Sequence, residues 1–280
     1  MELKKFLRQF WIFVLLFLLM NAALIGGICI MSNNISFKLP AKKHVLIIGD
    51  SHTALGINDK YIPQAINMSS EGEGYLYAYL KLRKFLAEND QLDTVILSFN
   101  FNSMYKVKDE WTVGESYIAG KVPHYLPFFT ADEFKLFAAN PVFYEAVLEV
   151  PVQNKRAVVK LLTNKFTMPD LHIGGYVDSK ERKIKKALEV IKEKADAAKR
   201  FDGYSVYQEE YLNKIIAACK AADVQLILLN SPIYKEALYA YNQKDFYAYY
   251  KKNLANIPMW DYYNMPYDAT QFRDTDHLNA

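Results

Sequence analysis

The run His44-Val-Leu-Ile-Ile-Gly49 has branched apolar side chains with no polar residue between them. A strand with one wet face alternates polar and apolar positions, so an unbroken run reads as a strand buried on both faces, as in a parallel sheet. Comparable short runs recur at Ala65–Met68, Thr94–Phe99, Val224–Asn230 and Pro258–Tyr262. Helical segments lie between them. Tyr75–Glu88 sets Leu76, Tyr79, Leu80, Leu82, Arg83 and Leu86 on one stripe, and Tyr207–Ala222 is amphipathic. Strands alternating with helices need right-handed crossovers that lay helices on both faces of the sheet. The expected fold class is α/β, three layers around a parallel sheet.

A second feature precedes that pattern. Phe10–Met31 is apolar over 22 residues, broken only by Asn21 and the small Ala22, Gly26 and Gly27. As a helix it is long enough to cross a hydrocarbon core of ~30 Å. Lys4, Lys5 and Arg8 stand just before it, so the positive-inside rule sets residues 1–9 in the cytoplasm and the rest outside. Lys38, Lys42 and Lys43 lie farther from the span and count less. A cleaved signal peptide is the competing reading, but its apolar core is shorter, about 7–15 residues, and no small-x-small site follows here. Cys29 does not read as a lipoprotein cysteine, because the bulky Ile28 precedes it. The expected layout is a cytoplasmic stub at 1–9, an uncleaved anchor at 10–31, a linker at 32–42 and an α/β domain at 43–280.

Within that domain the alternation is lost from about 103 to 203. This stretch is rich in Phe and Tyr, contains Pro123, Pro127, Pro141, Pro151 and Pro169, and runs into a lysine-rich helix near Ser179–Arg200. It reads as an insertion, with the lysine helix a solvated face. The formal net charge of +3 on 280 residues gives no argument for a nucleic-acid partner. Cys29 lies in the anchor and Cys219 in a helix, so no disulfide is expected.

Four segments carry chemistry. Gly49-Asp50-Ser51-His52 follows the first strand, and in open α/β sheets reactive groups gather at the carboxyl ends of strands. There the Ser51 hydroxyl is presented as a nucleophile and its own N–H can face an oxyanion. A helix N-cap would favour the same residue types. Asp274-Thr-Asp-His277 supplies a base with a carboxylate to orient it, and His277 alone of the five histidines has an acidic residue three before it. Gly72, after the second strand, lets a backbone N–H approach a tetrahedral intermediate. Asn100, or Asn102, at the end of the third strand offers a side-chain amide to the same oxyanion.

In this order Ser51, Gly72, Asn100, and Asp274 with His277 resemble the blocks of the SGNH, or GDSL-like, hydrolases. The resemblance covers about residues 43–280 apart from the insertion. It implies a flavodoxin-like parallel sheet, a Ser51–His277–Asp274 triad, an oxyanion hole of Ser51, Gly72 and Asn100 (or Asn102), and neither metal nor cofactor. The usual Gly-x-Asn-Asp is here Ser98-Phe-Asn-Phe101, and Ser69 stands where a glycine is common. The anchor looks like that of SGNH-type proteins working beside membrane-bound O-acyltransferases in bacterial-type envelopes. That likeness implies an extracytoplasmic domain acting on acyl esters of a cell-surface glycan, with such an acyltransferase as partner. The alternative is a non-catalytic member that recruits or orients the acyltransferase. The family continues past the histidine into a helix, whereas Leu278-Asn279-Ala280 end the sequence, so bare apolar sheet and a loose His277 are expected.

Overall fold

A computed structural model describes residues 2–161, 163, 167–180, 183–198 and 203–279. The chain forms two compact units, Met1–Ser36 with Glu115–His172, and Phe37–Gly114 with Ile173–Ala280.

The larger unit is α/β. Five strands, β1 (Val45–Ile48), β2 (Ala65–Asn67), β3 (Thr94–Ser98), β4 (Gln225–Asn230) and β5 (Met259–Asp261), form one sheet in the order β2-β1-β3-β4-β5. Every pair is parallel, with Val45 opposite both Ala65 and Thr94, and Thr94 opposite Gln225. This is the strand order of flavodoxin-like doubly wound sheets, and the order reverses at β1 and β3, where such folds open a crevice at the strand ends. The apolar runs explain the burial. Leu46, Ile47 and Ile48 are all shielded from solvent although they point alternately to opposite faces.

One face carries the cluster Ile47, Ala65, Ile96, Ile227 and Leu229. A groove of about 680 Å³ runs over this face, and His52 and Leu278 are among its lining residues. The long helix α3 (Tyr75–Glu88) packs against the helix Val206–Ala221, which also contacts β4. The observed α3 is buried more widely than a single stripe. Tyr75, Tyr77, Lys81 and Phe85 are inside, while Tyr79 and Arg83 are half-buried. The expected lysine-rich helix is observed as Ile184–Ala198, and 181–182 and 199–200 lie outside the described residues.

The C-terminal segment is pinned, not loose. Phe272 and Leu278 form an antiparallel bridge, Arg273 N–H donates to His277 O at 2.9 Å, and Asn279 N–H donates to Gln271 O at 3.0 Å. Asp274–His277 is thereby the tip of a tight hairpin.

In the smaller unit, α1 (Glu2–Asn33) is helical throughout and long and apolar enough to cross a membrane, with mean hydropathy 2.6 over its most apolar window. Its C-terminal end differs from the rest. Ile28 and Ser32 are buried, and α1 contacts the turn Leu126–Phe128 and the helices Pro141–Leu148, Val150–Gln153 and Lys155–Leu161. Proline and threonine punctuate this region as short helices. A capping box of Thr130 and Glu133 starts Ala131–Phe137, and Asn140 caps a helix with Pro141 at its first position. Phe137 stacks between Phe129 and Phe143 at 5.4 and 5.8 Å.

Candidate active site

The turn out of β1 sets the nucleophile. Gly49 has φ +135°, a region that L side chains avoid, and a Cβ there would strike the Ser98 side chain on β3. The chain can therefore reverse sharply against β3. Asp50 then caps the helix α2 (Ser51–Gly56), its carboxylate accepting from His52 N–H at 3.1 Å. Ser51 is thus the first helical residue, at the carboxyl end of β1.

The hairpin tip delivers the base. His277 Nε2 lies 2.8 Å from Ser51 Oγ, and Nδ1 lies 2.8 and 3.0 Å from the two oxygens of Asp274. The same carboxylate accepts the N–H groups of Asp276 and His277, at 2.9 and 3.0 Å. A carboxylate can only accept, so Nδ1 carries the hydrogen and Nε2 is left as the acceptor for the Ser51 hydroxyl. Burial disfavours a charged His277. The hydrogen bond and charge of Asp274, with the charges of Asp276 and Asp50, outweigh it and hold the imidazole above the ordinary histidine pKa. Burial likewise opposes the charge on Asp274, but His277 and the two backbone N–H groups keep it below the usual carboxylate value.

A buried chain of hydrogen bonds runs beneath these residues. Ser98 Oγ donates to Asp50 Oδ1 at 2.7 Å, Asn100 Nδ2 donates to Ser98 Oγ at 2.8 Å, and Asn100 Oδ1 accepts from Ser231 N–H at 3.0 Å. Asn100 thus ties the ends of β3 and β4 to the nucleophile turn. Asn102 is half-buried and its carbonyl accepts from Tyr105 N–H. Gly72 sits in a turn, with φ +62°. That turn is joined to both halves of the site, since Ser70 N–H donates to Gly49 O at 2.9 Å and Arg273 Nη1 to Glu71 Oε1 at 3.2 Å.

Residues outside the sequence expectation add charge around this centre. The His52 ring lies 5.0 Å from that of His277, and burial lowers its pKa, so it is a neutral neighbour. Lys108 is buried with its ammonium 3.0 Å from the centroid of Trp111. Burial lowers its pKa to about 8 against the pull of Asp50 and Asp276. Tyr241 donates to Asp276. His52 stands in the Gly49–His52 segment, whereas Lys108 and Tyr241 reach the centre from distant parts of the chain, which no local motif announces. Among the described residues no three His, Cys, Asp or Glu side chains gather as a metal site.

Such a geometry can deprotonate a hydroxyl as it attacks an electrophilic carbon. No protein-family model matches the chain, and comparison with curated proteins finds no match.

Proposed function

We propose that the protein is an SGNH-type serine hydrolase or acyltransferase, acting on acyl esters of a cell-surface glycan through an acyl–Ser51 intermediate. The observation that carries this reading is Ser51 Oγ at 2.8 Å from His277 Nε2, with Asp274 on the other ring nitrogen. Ser51 Oγ attacks the ester carbonyl and its proton passes to Nε2. The developing oxyanion meets the N–H groups of Ser51 and Gly72, with Asn100 or Asn102 as the side-chain donor. Collapse expels the alcohol, which leaves with the proton held on His277. Water or a glycan hydroxyl then attacks the acyl–serine, His277 takes its proton, and collapse releases Ser51, whose Oγ takes that proton back from His277. Access of water decides between hydrolysis and transfer.

The apolar α1 favours a membrane site of action, and Lys4, Lys5 and Arg8 favour an extracytoplasmic catalytic unit beside a membrane-bound O-acyltransferase. A fluorophosphonate probe tests the chemistry. Ser51 is expected to be labelled, Ser51→Ala to abolish labelling, and His277→Ala to slow it by orders of magnitude. A folded protein that no small activated probe labels would favour the non-catalytic partner instead.

A further inference from the structure

We infer that Lys81 and Glu73 are positioning residues that hold the turn Glu71–Gly72 at Ser51, an inference that rests on the proposed acyl–serine chemistry. Both side chains are fully buried, and Lys81 Nζ lies 2.7 Å from Glu73 Oε2. The ammonium also donates to the Met68 carbonyl and, at 2.9 Å, to the Ile173 carbonyl. Three N–H bonds therefore meet three acceptors, two of which are the ends of the loop Met68–Glu73.

The loop is fixed from outside as well. Gly175 N–H donates to Ser69 O at 2.9 Å, and Gly174, at φ +148°, runs so close that a Cβ would strike the Met68 carbonyl. Ser69 N–H is held by Asn67 Oδ1 at 2.9 Å, and Thr53 Oγ1 of α2 donates to Ser69 Oγ at 2.8 Å. With Ser70 bonded to Gly49, these contacts bind the loop to the nucleophile turn and leave Glu71–Gly72 as its projecting tip.

A buried ion pair contributes little to stability compared with an apolar pair of similar volume. An apolar pair would pack, but it could not bind two backbone carbonyls and fix where Gly72 points. Positions of catalytic donors matter at the scale of about 1 Å, where misplacement costs roughly 10²-fold in rate.

The test uses the full chain with Glu73→Gln, which keeps volume and one acceptor, and with the double variant Lys81→Met, Glu73→Leu. Fluorophosphonate labelling, turnover of 4-nitrophenyl acetate and amide hydrogen exchange are read on each. Folded Glu73→Gln is expected to label at least about tenfold slower, and the double variant about 10²-fold slower, with the loss in kcat and KM little changed. Exchange should rise at residues 68–73 and not across β1 and β3. Wild-type labelling by either folded variant overturns the inference. So does exchange that rises across the whole sheet, since that marks a merely structural pair. If the unaltered protein fails to label, the acyl–serine reading falls, and exchange confined to 68–73 still decides whether the pair holds the turn.

Discussion

The Ser51 proton has Nε2 of His277 as its acceptor, because Nδ1 is committed to Asp274. Only neutral His277 can take that proton. Its pKa is raised, so the protonated, inactive form persists to higher pH than for a free histidine, whose value is about 6.5. Labelling of Ser51 is therefore expected to fall as pH drops, with its midpoint above about 6.5. Asp274→Asn should move that midpoint down and slow labelling at every pH, read as a rate–pH profile. An unmoved midpoint would show that Asp274 does not set the imidazole. Ser51, Asp274 and His277 were legible in the sequence because each stands in a short local pattern. Lys81 with Glu73, and the path from Asp50 through Ser98 to Asn100, were not. Their partners are chosen by the packing of distant segments, and a lysine inside a helix reads as a surface residue.

At the level of elements, the β1–α2 turn depends on Gly49. An alanine there meets both a disfavoured φ and the Ser98 side chain, whereas Gly175, at φ +147°, has open space around its Cβ position. Gly49→Ala is expected to destabilise by more than about 2 kcal/mol and Gly175→Ala by only about 1 kcal/mol, read from denaturant midpoints. Equal losses would mean that the close approach of β1 to β3 has no energetic weight. The strands and α3 could be read from sequence to within a residue or two, because runs buried on both faces admit few alternatives. The buried face of α3 could not. The helix Val206–Ala221 packs on it as well, and Lys81 is enclosed against Glu73, Met68 and Ile173, although it falls off the expected stripe. The short helices between Glu115 and Leu161 leave no strong period, so only their proline and capping signals were visible.

Taken as a whole molecule, the protein couples its apolar helix to folded structure. The end of α1 packs on Leu126–Phe128 and on the helices from Pro141 to Leu161, and Val150 and Ala157 are buried in that unit. Full-length protein is expected in membranes and to resist carbonate extraction. A chain starting at Phe37 should aggregate or need detergent, since losing α1 uncovers an apolar surface in the unit that keeps Glu115–His172. Monodisperse behaviour of that shortened chain by size exclusion would show that α1 contributes no packing. A reporter fused after Ala280 tests the proposed orientation, and cytoplasmic activity of the reporter would reverse it.

The Ser51–His277 contact closes 226 residues of chain. Contacts of such separation form late, after the loop entropy has been met by the strands between them. Neither half of the sequence holds both Ser51 and His277, and no local collapse can bring them together. Under the proposed function, reactivity at Ser51 is a clock for assembly. In a refolding experiment it should appear only with the last, slowest phase, and a nascent chain should stay chemically silent until its final hairpin brings His277 to Ser51.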